Sequence, residues 1–324
     1  MAPGFARVRD FVRLCAHSAA STVAPSLARW LLVRAAVAPP MWKTPLFERC
    51  CAGLMRGSLG APEDVVVTNL GLGANLRCRI AMNKTAYAFG KFEHMLSERA
   101  TFALVRELAA DCKEFVDVGA NEGAFTFLVN NNYPKVRLHW FEPDRQIAQR
   151  LAANLTSNNI VTCGNQTAVA EQRGTATFFK NLSDDLSGSL SSLFADKHLT
   201  RAEAVETISL AEYFGMRGIA DALVKIDVEG AGEKVWNGAG ETSKAIRYLV
   251  IEMLAPEIEA GLPARIIREG GLKAYYVRDF ELIPSVDGEF EYVAPFWNWL
   301  FCRMSPDELA ARLSATGFRV GKGG

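Results

Sequence analysis

An excess of charge of either sign is missing from this chain. Over 324 residues, 36 Lys and Arg balance 36 Asp and Glu, so no net field draws the chain to nucleic acid or anionic lipid, and recognition must come from a local site. Paired cysteines are missing too. The seven cysteines, Cys15, Cys50, Cys51, Cys78, Cys112, Cys163 and Cys302, include no C-x-x-C and are odd in number. That excludes a complete disulfide framework and predicts reduced thiols in a cytoplasm. Adjacent Cys50 and Cys51 have no nearby histidine or second cysteine pair and read as packing residues. The first 40 residues lack acids other than Asp10 and lack any apolar run of about 18 residues, which excludes a membrane span there. They are rich in Ala, Ser and Arg, as transit peptides and basic amphipathic helices are. The stretch Leu27 to Val37 sets Trp30, Leu31, Leu32 and Val33 between Arg29 and Arg34. Such a helix packs on the protein's own core or lies on a membrane surface as a peripheral contact, and core packing is the simpler reading. No periodicity lasts long enough for a repeat.

What is present is ordinary globular material: 49% hydrophobic and 22% charged residues, enough to bury a large core. Residues 1–90 read as an N-terminal extension or cap, and 91–324 as the main domain. From Ser97 the pattern becomes regular. A helix through Phe102, Leu104, Val105 and Leu108 leads into the apolar run Phe115 to Val118, a glycine-rich turn and a second helix. The run Leu138 to Phe141, a helix with Ile147, Leu151 and Leu155, and a run near Val161 complete a βαβαβ pattern. Ala222 to Val228 and Tyr248 to Met253 are also continuous apolar runs, the mark of buried parallel strands. Five parallel strands are therefore expected. Ala274 to Ile283 and Phe296 to Met304 should form a β pair closing one edge, separated by a turn at Val286 to Glu289. Ser305-Pro306-Asp307-Glu308 should cap a helix over Leu309 to Ala315.

In an open α/β sheet the ligand sits beyond the strand carboxyl ends, beside the first βα turn. Here that turn is Asp117-Val-Gly119-Ala-Asn121-Glu-Gly123. Gly119 and Gly123 permit tight backbone turns, and Asn121 tolerates left-handed backbone while offering side-chain hydrogen bonds. A dinucleotide fingerprint is G-x-G-x-x-G and offers bare amides to a pyrophosphate. Asp117 would repel that anion, and Asn121 stands where a glycine belongs. A ligand with an ammonium and a sulfonium, as in S-adenosylmethionine, suits the carboxylate better. The plainer role for Asp117 is to cap the next helix or tie down the turn. Glu142, at the end of the second strand before Pro143, can accept two ribose hydroxyls or support the next helix N-terminus. In Lys225-Ile-Asp227-Val-Glu229-Gly230, strand alternation would place Asp227 and Glu229 on one side. There they could accept a substrate proton or jointly hold a hard divalent cation, or close an ordinary surface turn. No metal site is predicted.

These motifs together resemble the FkbM family of methyltransferases: FVDVGANEGAFT at 115–126, FEPD at 141–144, Ala168-Val169, Ser191-Ser192-Leu193 and KIDVEGA at 225–231. The resemblance covers about residues 95–255. It implies a Rossmann-like seven-stranded class I methyltransferase sheet with helices on both faces. It further implies S-adenosyl-L-methionine as donor and O-methylation of a hydroxyl on a sugar, glycolipid, polyketide or related metabolite. By position, Asp117, Gly119, Asn121 and Gly123 would flank the methionine part, Glu142 the ribose, and Ala168 with Val169 the adenine. Asp227 and Glu229 would face the reaction centre. The family often has Glu directly after Gly-Ala in the last motif, whereas this chain has Gly232 and then Glu233, so Glu233 receives no role.

Positioning and removal of the acceptor proton are the main tasks of methyl transfer. Asp227 is the expected base, with Glu229 as its partner. His139, in an apolar strand, reads as a core histidine, and His198 follows the Ser-rich stretch Ser183 to Ser192, a candidate lid. Two other classes stay open. One is an NAD-dependent oxidoreductase on a related sheet, and the other is a non-catalytic binding protein of methyltransferase fold. Acceptor and oligomeric state are not legible in the sequence.

Overall fold

A computed structural model describes residues 65–67, 78–80, 98–182, 187–289 and 296–321. The N-terminal amphipathic stretch and the Cys50-Cys51 pair lie outside them. The chain divides into two units, Met1–Met95 and Leu96–Gly324. In the first, the described residues form one antiparallel pair, β1 (Val65–Val67) with β2 (Cys78–Ile80).

The second unit opens with α1 (Glu98–Ala109), β3 (Glu114–Val118), α2 (Ala124–Asn132), β4 (Arg137–Phe141), α3 (Arg145–Ser157) and β5 (Cys163–Asn165). The apolar runs became strands because both of their faces are covered: all five residues of β3 are buried. Asp144 caps α3, its side chain accepting the amides of Gln146 and Ile147, which fixes where the chain leaves β4. The third strand is Cys163–Asn165 and not the run at Val161, which is 91% exposed.

A small sheet follows, built from β6 (Ala168–Val169), β7 (Gly174–Asn181), β8 (Gly188–Ser189) and β9 (Thr200–Ile208), with α4 (Ser192–Lys197) between the last two. Its order is β6-β9-β7-β8, and the long β7–β9 pair is antiparallel. The main fold then resumes with α5 (Leu210–Arg217), β10 (Ala222–Ile226), α6 (Gly232–Asn237), a 3₁₀ turn at Gly240–Ala245 and β11 (Ile246–Glu252). The remaining elements are α7 (Ala255–Glu259), α8 (Leu262–Gly270), β12 (Lys273–Arg278), β13 (Glu281–Ser285), β14 (Asn298–Cys302), α9 (Pro306–Arg312) and β15 (Arg319–Val320). The capping box of Ser305 and Glu308 starts α9 as its residues predict.

Among the described residues the main sheet has nine strands in the order β15-β13-β12-β14-β11-β10-β3-β4-β5, where seven were expected. The two beyond seven are β13 and β15. The first exists because Asp279, at φ 51°, reverses the chain inside what reads as one continuous run. The expected five strands, β3, β4, β5, β10 and β11, are mutually parallel. On the other side β14 and β12 join antiparallel. From β3 the chain runs outward to β4 and β5, then returns to lay β10 on the opposite flank of β3. Strand order therefore reverses between the carboxyl ends of β3 and β10, where open α/β sheets bind ligands. The core beneath that point joins Val116, Val118, Phe141, Val224, Ile226, Ile251 and Trp299. Among the described residues no helix is long and apolar enough to cross a membrane.

Candidate functional site

The turn leaving β3 is shaped by left-handed backbone at Gly119 (φ 79°), Asn121 (φ 52°) and Gly123 (φ 84°). Gly119 answers a second demand: a Cβ there would lie 1.8 Å from the carbonyl oxygen of Asp227. A side chain at 119 would push the ends of β3 and β10 apart. At Gly123 the obstruction is Leu151 of α3, 2.3 Å from a would-be Cβ.

The amides of this turn all have partners within the protein. Gly119 and Ala120 both donate to the Phe141 carbonyl, at 3.0 and 2.9 Å, and Gly123 donates to Ala120 at 2.8 Å. Asn121 donates to Glu142 Oε2 at 3.0 Å, and Glu122 to the Asn121 side chain at 2.7 Å. No bare amide remains between 119 and 123 to receive a pyrophosphate, in contrast to what a dinucleotide fingerprint presents.

Carboxylates surround the turn instead. Asp117 is 1% exposed; Thr126 of α2 donates to its Oδ2 at 2.8 Å, while its buried Oδ1 has no hydrogen-bond partner among the described residues. Burial pushes its pKa up to about 6, against the pull of the Lys225 ammonium. Glu142 is also buried. Its Oε1 accepts the Asp144 amide at 2.8 Å and its Oε2 the Asn121 amide at 3.0 Å, and burial pushes its pKa up to about 8. Glu142 thus braces the start of α3, as one of its two expected roles requires. In its acid form it keeps one O–H donor and spare acceptor capacity. Glu122, which carried no expectation, is buried and paired with Arg150 at 2.7 Å.

Across the switch point, β10 ends at Ile226. The alternation expected to set Asp227 and Glu229 on one side stops there, because the backbone turns through left-handed Glu229 (φ 52°) and Gly230 (φ 84°). Asp227 is ion-paired to Lys225 at 2.8 Å. Glu229 lines a cavity that it shares with His198 and of which Asp227 is not a lining residue. Lys225, 2% exposed and 4.4 Å from the centre of the Phe125 ring, is the residue sequence reasoning passed over. Its signal was visible: a lone lysine inside an apolar strand needs a buried anion, and register places it beside Asp117.

Ala168 and Val169 are buried in the small sheet, paired parallel with Thr207 and Ile208 of β9. Val169 belongs to the same core cluster as Val118 and Phe141. His139 is a core histidine: its ring nitrogens meet Tyr213 Oη and Glu114 Oε2, each at 2.9 Å, and burial lowers its pKa. The stretch read as a lid is anchored where it is described, since Ser189 Oγ donates to the Val228 carbonyl at 3.0 Å. Among the described residues no three His, Cys, Asp or Glu side chains are grouped to hold a metal.

The sequence pattern of the methyltransferase FkbM domain matches residues 117–320, from Asp117 to the last strand. The chain belongs to the FkbM methyltransferase family. Among curated proteins none matches it. Solved structures overlap the FkbM chain only loosely. A SAM-dependent O-methyltransferase from Thermotoga maritima is 11% identical, covering 67% of this chain and 72% of that one with a TM-score of 0.35. The precorrin-6y C5,15-methyltransferase from Geobacter metallireducens is 10% identical over 62% and 87%, with a TM-score of 0.32. The N-terminal domain of human METTL16 in complex with SAH is 12% identical over 70% and 86%, with a TM-score of 0.33. Overlaps this loose bear on neither substrate nor individual residues.

Proposed function

We propose that this FkbM-family chain transfers a methyl group from S-adenosylmethionine to a hydroxyl of a sugar, glycolipid, polyketide or related small metabolite. The observation that carries the choice of donor is the turn at 119–123. Its amides are all engaged, so it has nothing to offer a pyrophosphate, while the acids beside it suit a cationic ligand with ribose hydroxyls. This weighs against the NAD-dependent alternative. The residues fit the donor. The unpartnered Asp117 Oδ1 would hold the ammonium, the spare acceptor capacity of Glu142 the ribose, and the apolar Ala168 and Val169 the adenine. Gly119, Asn121 and Gly123 would shape the backbone against it. When bound, S-adenosylmethionine supplies an electrophilic methyl group.

The two carboxylates after β10 divide the remaining work. Asp227, ion-paired with Lys225, braces the end of β10 at the switch point. Glu229, on the cavity wall, accepts the proton of the acceptor hydroxyl. This reverses the order expected from sequence, in which Asp227 was the base.

Incubation of the purified protein with labelled S-adenosylmethionine and an extract of its own cells tests the proposal. Glu229→Gln should lower turnover about 10²- to 10³-fold with cofactor affinity unchanged, and Asp227→Asn should lower both. Full turnover in the Glu229 variant would remove that residue from the chemistry. A non-catalytic binding protein would bind the donor and label nothing.

A further inference from the structure

The cavity that Glu229 lines has a volume of about 580 Å³, in the range that encloses a small molecule. Its walls come from the turn after β10, from β7, from α4 and from α7. Part of the lining is apolar: Phe179, Leu193, Phe194, Leu254 and Pro256. The rest is charged, and its charges are unevenly matched.

The acids are mostly engaged within the protein. Glu233 is ion-paired with Arg265 at 2.7 Å. Glu257 is buried and accepts three backbone amides, from Gly232 at 2.7 Å, Glu233 at 3.3 Å and Leu254 at 3.0 Å. Lys197, at the end of α4, and Lys234, in α6, also line the cavity, and neither has an ion-pair partner among the described residues. His198 adds an exposed residue whose ring lies tilted at 33° against Phe194, centroid to centroid 4.4 Å. The two sides are held in fixed relation. Buried Ser189 donates to the Val228 carbonyl at 3.0 Å and accepts the Ser191 amide at 2.9 Å, which pins the start of α4 to the turn bearing Glu229.

A cavity with two unmatched ammonium groups, an apolar wall and one carboxylate at the reacting end selects for charge as well as shape. Resting on the methyltransferase reading above, we infer that this cavity receives the methyl acceptor and that the acceptor is an anionic hydroxylated metabolite. Its carboxylate or phosphate is held by Lys197 and Lys234, and its hydroxyl meets Glu229. Lysine ammonium groups bind either acid as point charges, so the chemistry is shared between the two.

The test uses the full chain, tritium-labelled S-adenosylmethionine and a small-molecule extract of the source cells, split by anion exchange into retained and unretained fractions. Label should enter the retained fraction. The double variant Lys197→Met with Lys234→Met should cut that labelling at least tenfold, and Lys197→Arg with Lys234→Arg should restore it. Affinity for S-adenosylhomocysteine, measured by calorimetry, should not change in either. Phosphatase treatment of the retained fraction beforehand separates the sources: lost labelling identifies a phosphate, preserved labelling a carboxylate. Label in the unretained fraction, or undiminished labelling by the Met variant, would overturn the inference. Failure of the wild type to bind S-adenosylhomocysteine, or binding without label in any fraction, would instead overturn the methyltransferase reading beneath it.

Discussion

The turn after β3 and the cavity after β10 adjoin at one switch point yet are built on opposite principles. In the turn, function rests on backbone: every amide from 119 to 123 has a partner, and a methyl group at Gly119 would strike the Asp227 carbonyl. In the cavity it rests on side chains, with Lys197 and Lys234 lacking an ion-pair partner among the described residues while Glu233 and Glu257 are engaged within the protein. Backbone cannot be revised one residue at a time, whereas lysines on a cavity wall can.

If the contrast is real, backbone changes in the turn should be the costly ones. Gly119→Ala meets both a left-handed φ of 79° and a contact of 1.8 Å. It should lose about 3 kcal/mol or more in urea unfolding, since strain and overpacking each cost about 1–3 kcal/mol, and S-adenosylhomocysteine binding should go with it. The next effect is a slope against pH. The Glu142 carboxyl is raised by burial from 4.5 to about 8, so between those values the folded state holds a proton that the unfolded state has released. Its stabilising contribution is complete below pH 4.5 and is lost as pH rises through about 8. The unfolding free energy of Glu142→Gln should therefore gain on the wild type across that window, by up to about 1.4 kcal/mol per pH unit. A flat difference would show that Glu142 is not held in its acid form. The smallest effect belongs to Gly218→Ala, which shares a left-handed φ of 64° but has no described residue within 4 Å of a would-be Cβ. It should cost about 1 kcal/mol, the backbone penalty alone. Equal losses at 119 and 218 would erase the close approach as the reason for glycine in the turn.

The same division explains what was legible in the sequence. Four of the five parallel strands, β3, β4, β10 and β11, announce themselves because strands buried on both faces read as apolar runs, whereas β5 is partly exposed and lies after the run at Val161. Gly119, Asn121 and Gly123 were readable because left-handed backbone restricts residue type locally. The small sheet was not. Strands β7 and β9 are half exposed, and Ala202-Glu203-Ala204-Val205-Glu206 is rich in helix formers, so antiparallel pairing overrode local preference. Asp279 hid a reversal inside an aromatic-rich run. At the site, Asp117 and Glu142 were visible as acids at strand ends. The partner of Asp117 at Thr126 and the bond from Asn121 to Glu142 depend on tertiary geometry. Of the cavity only Glu229, His198 and the Ser-rich stretch stood out, because its lining comes from segments between Ala176 and Ala260 that meet only in the fold.

Calorimetric titration of the purified chain with S-adenosylhomocysteine and, separately, with NADH tests the central claim most directly. The account predicts that S-adenosylhomocysteine binds, that Asp117→Asn weakens it about a hundredfold, as expected for loss of a buried charge contact worth about 2.7 kcal/mol, and that NADH does not bind. Binding of NADH with none of S-adenosylhomocysteine would contradict it.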